Sequence, residues 1–212
     1  MNAPRVIFYH SPNSRSAGTR CLLEELEADY ELRLLDLGKQ QQRAPDYLSV
    51  NPMGKVPAIV HEGALITEQP AVYMYLADLF PAKGLAPAIG DPLRGPYLRW
   101  LVFYGSSFEP AMVDKSMQRP PVPPSTCPYG DYDTMLGTLL AQLEPGPYLL
   151  GERFTAADVL WGNALHWMTA FKLLPELPVV RAYLERVMSR PGIVRAQELD
   201  AALLAERAQQ AG

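Results

Sequence analysis

A chain of 212 residues with 48% apolar residues is long enough to bury one large core or two small ones. A net charge of −4, with no basic run beyond a residue or two, argues against a nucleic-acid partner, and no stretch approaches the ~18 apolar residues of a membrane span. Two cysteines, Cys21 and Cys127, and three scattered histidines, His10, His61 and His166, make neither a disulfide framework nor a metal-ligand pattern. The first apolar run, over 6–9, is too short for a signal-peptide core, so a metal-free, soluble, cytoplasmic protein is expected.

Residues 5–9, RVIFY, read as a strand, followed by a polar break over 10–13. A helix is expected over 14–28 with Leu22, Leu23 and Leu26 as its buried stripe, and a second strand over 30–36 completes a βαβ unit. A polar loop over 38–43 and a short helix over 44–50 come next. Two short apolar runs, 57–60 and 64–67, flank Glu62-Gly63 and predict a β-hairpin with a tight turn. Val72, Tyr75, Leu76 and Leu79 then recur at helical spacing over 69–79, with Pro70 in the first turn and Thr67 as the expected N-cap. The layout is βαβαββα.

The stretch 81–92, rich in proline, glycine and alanine, reads as a linker, and beyond it strand signals vanish. Helices are expected over 96–108 and on toward 115, over 132–143, from 154, over 179–189 and over 193–208, the last two parted by Arg190-Pro191-Gly192. Thr155 and Asp158 form a capping box, with Phe154 and Val159 as a hydrophobic staple. The fold class is therefore α/β plus all-α: a domain over 1–80, a linker over 81–92 and a helical bundle over 93–212. Between Arg119 and Tyr129 stand five prolines, a run that can stay ordered in polyproline form.

The chemistry concentrates in 51–81. Glu68 and Gln69 lie at a helix start, where unpaired N–H groups and the macrodipole favour a carboxylate while Glu68 attracts an ammonium. A ligand with both charges on one carbon, an α-amino acid end, fits that pair. Val56-Pro57 opens a strand, and a cis bond there leaves Val56 backbone groups to meet a peptide-like ligand. The plainer readings are a proline that starts an edge strand and a Glu-Gln pair that suits a helix start.

Together, Asn51-Pro52, Val56-Pro57 and Glu68-Gln69 resemble, in this order, the second half of the glutathione-binding domain of the cytosolic glutathione S-transferases. Gln69 departs from the serine usual there, although its backbone N–H and its side-chain amide can both donate. The resemblance spans nearly the whole chain and implies a thioredoxin-like first domain, an all-helical second one opened in its centre by the Thr155–Asp158 box, and a two-fold homodimer. It places the expected interface at the hairpin and at the helix near Trp100 and Tyr104, with Val102 where relatives carry an asparagine that reaches the partner's glutathione. Lys39 matches a lysine that pairs with the glycyl carboxylate, and Gln42 is near enough to share that role.

Glutathione reacts as its thiolate, and lowering a thiol pKa of about 8.5 by ~2 units takes about 2.7 kcal/mol. One hydrogen bond to the anion supplies about 1.5–3 kcal/mol and a helix start up to ~1 more, so one well-placed donor nearly suffices. The candidates are Ser14, then Asn13, then Ser16. Alignment on the serine-type classes places Asn13 at the catalytic serine, alignment on the cysteine-containing bacterial class places Arg15 at the cysteine and Ser16 beside it, and the tyrosine-type classes match Tyr9. A helix N-cap is the competing role for either serine.

The resemblance implies a transferase: glutathione held along Lys39, Gln42, Val56, Pro57, Glu68 and Gln69, and an apolar electrophile attacked by its sulfur, as in detoxification. Tyr104, Phe108, Trp161 and Trp167 are candidates for an apolar second site, or for core. Glutathione-dependent reduction, isomerisation or dehalogenation stays open, as does a non-catalytic binding or regulatory protein of the same fold. A thioredoxin-type redox protein is disfavoured because no C-x-x-C motif stands at the first helix.

Overall fold

A computed structural model describes residues 5–211. The chain forms two compact units: one runs up to Lys83 and resumes at Arg190, the other is Gly84–Ser189.

The first unit holds β1 (Val6–His10), α1 (Ser16–Glu25), β2 (Tyr30–Leu34), α2 (Pro45–Val50), β3 (Ala58–His61), β4 (Ala64–Ile66) and α3 (Gln69–Leu79). The sheet order is β2-β1-β3-β4. β2 lies parallel to β1, from Val6 opposite Tyr30 to His10 opposite Leu34, and β3 lies antiparallel to both β1 and β4. Alternate residues Val6 and Phe8 of β1 meet Leu22, Leu23 and Leu26 from the α1 side and Val72, Tyr73 and Leu76 of α3 in the core. Glu62 and Gly63 both take positive φ, the two-residue turn whose twist matches a hairpin.

Helix α1 is shorter than its apolar pattern predicts. It stops because Glu27 takes φ 48° and the Ala28 N–H closes back on Leu23 O at 3.0 Å, a left-handed stop. At the start of α3 the N-cap is Glu68, at φ 62° and ψ 110°, and not Thr67: the chain leaving β4 needs that residue to turn into the helix.

In the second unit α4 (Arg94–Phe103), a π turn (Tyr104–Phe108) and α5 (Glu109–Ser116) form the run expected over 96–115. α6 (Tyr132–Leu143), α7 (Ala156–Ala170) and α8 (Pro178–Met188) follow. Trp161 is the hub. Its indole N–H donates to Trp100 O at 3.0 Å, and the rings of Phe108, Tyr104 and Trp100 lie 4.8, 5.8 and 5.9 Å from it. Tyr104, Phe108 and Trp161 are therefore core, whereas Trp167 is half-buried against the exposed Phe171. Gly162 lets α8 approach α7, since a Cβ there would lie 2.4 Å from Val187 Cγ1.

The Thr155–Asp158 box is present and extends further than a box requires. One Asp158 oxygen accepts from Thr155 N–H (2.8 Å) and its hydroxyl (3.1 Å), the other from Leu149 N–H (2.8 Å) and the Tyr183 hydroxyl (3.0 Å). Burial pushes the carboxyl pKa up to about 6 against the pull of these donors. Asp114 ties down both ends of the proline-rich stretch, accepting from Arg119 and from the Tyr129 hydroxyl, each at 2.8 Å.

Pro191 and Gly192 open α9 (Pro191–Ala211) instead of forming a break, because Pro191 fits a first turn. α9 packs on α1 within the first unit. The Glu25 carboxylate accepts from Arg190 at 2.7 and 2.9 Å and from Gly192 N–H at 3.1 Å, and a Cβ on Gly192 would lie 2.7 Å from Glu25 N.

Candidate functional site

The strand register gathers most of the candidate residues at one end of the sheet. Pairing of Tyr9 with Ala58 carries Val56-Pro57 to the end of β1, and pairing of Ile59 with Ile66 brings Thr67 and Glu68 to the same end. The loops after the parallel strands β1 and β2 leave from there too. Asn13, Gln40 and Glu68 in these loops all take positive φ, between 55° and 62°, a conformation that non-glycine residues adopt at a cost.

The Val56-Pro57 bond is cis. The carbonyl before it is gripped twice: Lys55 O accepts from the Tyr47 hydroxyl at 2.6 Å and from Asn51 Nδ2 at 2.9 Å. Gly54, at φ 59°, brings its backbone so close to the loop after β2 that a Cβ would lie 2.6 Å from Gln42 O. Gln42 is half-buried and its Oε1 has no hydrogen-bond partner among the described residues. Lys39, on the same loop, is exposed, with its backbone N–H on Asp36 Oδ1 at 3.1 Å.

At the start of α3, Glu68 is exposed and Gln69 is half-buried. The Gln69 side-chain amide, a second donor in the sequence reading, directs an N–H to Arg15 O at 3.2 Å and so ties α3 to the loop before α1.

That loop carries the hydroxyls. Arg15 is the N-cap of α1 and makes no side-chain cap bond, so neither serine fills the expected capping position. Asn13 is exposed and Ser14 half-buried, whereas Ser16 is wholly buried and out of a ligand's reach. Ser14 Oγ lies 2.7 Å from both Ser11 O and Ser16 Oγ, and accepts from Ser16 N–H at 3.2 Å. Ser16 Oγ accepts from Ser11 N–H at 3.0 Å and lies 2.8 Å from His10 Nδ1.

His10 is itself fully buried, and its Nε2 lies 2.9 Å from Asp200 Oδ1 on α9. Arg20 donates to the same oxygen at 2.6 Å. Burial works to raise the Asp200 pKa, but the hydrogen bonds and charges of His10 and Arg20 prevail and hold it below the ordinary value. Sequence reasoning missed His10, Asp200 and the Tyr47 grip on Lys55 O; only the fold brings residue 200 to residue 10.

A separate cavity of about 680 Å³ is lined by Leu32, Leu34, Tyr47 and Tyr9, the candidate of the tyrosine-type alignment, among others, and contains none of the other candidate residues. Among the described residues no cluster of His, Cys, Asp or Glu is arranged to hold a metal ion, and no helix is long and apolar enough to cross a membrane.

Two family models match the chain: glutathione S-transferase, N-terminal domain, over residues 4–78, and glutathione S-transferase, C-terminal domain, over residues 129–186. The chain is 30% identical over 190 residues to glutathione S-transferase GstA of Escherichia coli O157:H7, covering 87% of this chain and 94% of the relative. It is 31% identical over 199 residues to the disulfide-bond oxidoreductase YfcG of Escherichia coli K12, covering 86% and 90%. A sphingomonad glutathione S-transferase solved in complex with glutathione superposes with a TM-score of 0.72 at 30% identity, covering 92% of this chain and 98% of that one. The chain belongs to the glutathione S-transferase family.

Proposed function

We propose that the protein is a glutathione transferase, which binds glutathione at this end of the sheet, ionises its thiol and joins its sulfur to an apolar electrophilic small molecule. The observation that carries the reading is the coincidence of three features there: the cis Val56-Pro57 bond, Glu68-Gln69 at the start of α3, and the Ser14 hydroxyl. In this reading the γ-glutamyl carboxylate meets the Gln69 backbone N–H and the ammonium meets Glu68. Val56 pairs with the cysteinyl backbone, Pro57 sets its direction, and Lys39 and Gln42 take the glycyl carboxylate.

Ser14 is the first candidate to face the sulfur, with Asn13 beside it. A hydroxyl donating to a thiolate is worth about 1.5–3 kcal/mol, which lowers a thiol pKa of about 8.5 by about 1–2 units and raises the thiolate fraction at neutral pH about tenfold or more. The thiolate then attacks an electrophilic carbon, forming a C–S bond as the leaving group departs. Calorimetric titration with glutathione, paired with ultraviolet difference spectra of the bound thiolate, tests the reading. Binding below millimolar with a depressed thiol pKa supports it, and failure to bind at millimolar concentration removes it.

The identity to YfcG supports a second reading, glutathione-dependent reduction of disulfides. Arg15 stands where the cysteine-containing class has its cysteine, so a mixed disulfide at that position is ruled out and a second glutathione would resolve the substrate. Turnover of a small disulfide against turnover of an aryl halide separates the two, and binding without either identifies a ligand-binding member of the fold. The protein is further proposed to act as a cytoplasmic homodimer, which sedimentation velocity checks.

A further inference from the structure

The hydroxyl of Ser14 is the outer end of a continuous chain of hydrogen bonds. From Ser14 Oγ the steps are 2.7 Å to Ser16 Oγ, 2.8 Å to His10 Nδ1 and, across the imidazole, 2.9 Å from Nε2 to Asp200 Oδ1. Ser16 and His10 are both fully buried, so neither touches a ligand, yet neither is needed to cap α1. A serine, a histidine and an aspartate in series are the parts of a proton relay, and here the serine that meets solvent is one hydroxyl further out.

The direction of each bond follows from the groups at the inner end. Asp200 is held ionised by Arg20 and accepts only, so Nε2 carries the imidazole proton and Nδ1 presents a lone pair. Ser16 has one proton; its acceptors are His10 Nδ1 and, less closely, Ser11 O at 3.1 Å. With that proton directed at Nδ1, Ser16 Oγ receives the Ser11 N–H and has a lone pair for the Ser14 O–H, whose other acceptor, Ser11 O, lies at the same 2.7 Å and only accepts.

Resting on the glutathione reading of the site, we propose that His10 and Asp200 are positioning residues that draw the thiol proton inward through two hydroxyls. The S–H bond breaks as its proton passes to Ser14 Oγ. The Ser14 proton passes to Ser16 Oγ, and the Ser16 proton forms the Nδ1–H bond. One proton has moved from sulfur to imidazole. The products are a thiolate that accepts a hydrogen bond from Ser14 and an imidazolium held by the Asp200 carboxylate. The charged and titratable groups around His10 are Asp200 from α9 and Arg20 from α1, with Tyr30 of β2 and Glu24 of α1 linked behind Arg20 at 3.3 and 2.7 Å.

The test needs no variant at first. In protein labelled with ¹⁵N at histidine, glutathione converts Nδ1 of His10 from unprotonated to protonated, whereas S-methylglutathione, which has no thiol proton, leaves it unprotonated. Two substitutions extend the test: Asp200→Asn keeps the hydrogen bond but removes the balancing charge, and Ser16→Ala breaks the chain. Each raises the apparent pKa of bound glutathione by about one unit, a tenfold loss of thiolate well below that pKa, while glutathione affinity stays within about threefold. If wild-type protein binds glutathione with a depressed thiol pKa but His10 Nδ1 stays unprotonated, the relay is overturned and the transferase reading stands. If glutathione does not bind, both fall. Should either variant fail to fold, the ¹⁵N result on the wild type decides alone.

Discussion

Replacing Asp158 with alanine removes an acceptor from four donors at once. Two of them, Leu149 N–H and Thr155 N–H, are fixed and buried; the Thr155 hydroxyl can rotate away, and the Tyr183 hydroxyl can turn to Asp158 O at 3.4 Å. Each stranded donor costs about 1–3 kcal/mol, so the loss should be about 2–6 kcal/mol out of a total stability of roughly 5–15 kcal/mol. Asparagine does little better, since both Asp158 oxygens accept and an amide must turn its NH₂ toward donors on one side. Urea unfolding followed by fluorescence of Trp100 and Trp161, in the same unit, reads the effect. A loss below about 1 kcal/mol would refute the accounting. The pH dependence checks the sign: the folded pKa, about 6, lies above the ordinary 3.8, so the contribution is complete below pH 4 and is lost as pH rises through 6. Over that window wild-type stability should fall by about 3 kcal/mol relative to Asp158→Asn. A difference that instead grows with pH would mean that the donors outweigh burial.

Gly162→Ala should destabilise the helical unit by about 1–3 kcal/mol through its clash with Val187, and the double variant with Val187→Ala should recover much of the loss in thermal melts. Glu25→Ala should cost about 2 kcal/mol and speed hydrogen exchange in the first turns of α9, because it strands the Gly192 N–H and half of the Arg190 fork; unchanged exchange would contradict it. Ser14→Ala should leave glutathione affinity within about threefold and lower the thiolate fraction at neutral pH by about tenfold. If Asn13→Ala shows that effect and Ser14→Ala does not, the donor assignment passes to Asn13.

Local signals carried far in this sequence. Tyr132–Leu143 and Gln69–Leu79 are bounded as their apolar spacing predicts, and the Thr155–Asp158 box is written in adjacent residues. The end of α1 and the cap of α3 moved where backbone conformation overrides side-chain type, at Glu27 and Glu68, which turn at positive φ without being glycine. The candidate site was legible in its loops at the end of the sheet because prolines and helix starts constrain the nearby chain. Its inner half was not: His10 meets Asp200 through the packing of α9 on α1, and no spacing rule spans that separation. Pro191-Gly192 shows the same limit from the other side, since the dipeptide that reads as a break is the close approach by which α9 seats on α1.

The first unit is assembled from two stretches of chain with residues 84–189 synthesised between them. Its sheet, cis proline and serine loop are made early, yet the aspartate that anchors His10 emerges only after the entire helical unit has left the ribosome. A nascent or prematurely stopped chain therefore carries the serine loop without its inner anchor. The contacts between α1 and α9 are among the most distant in sequence, so ordering of the loop before α1 should be a late event in folding. A fragment that stops before α9 should therefore carry Ser14 and Ser16 beside a histidine that lacks its carboxylate.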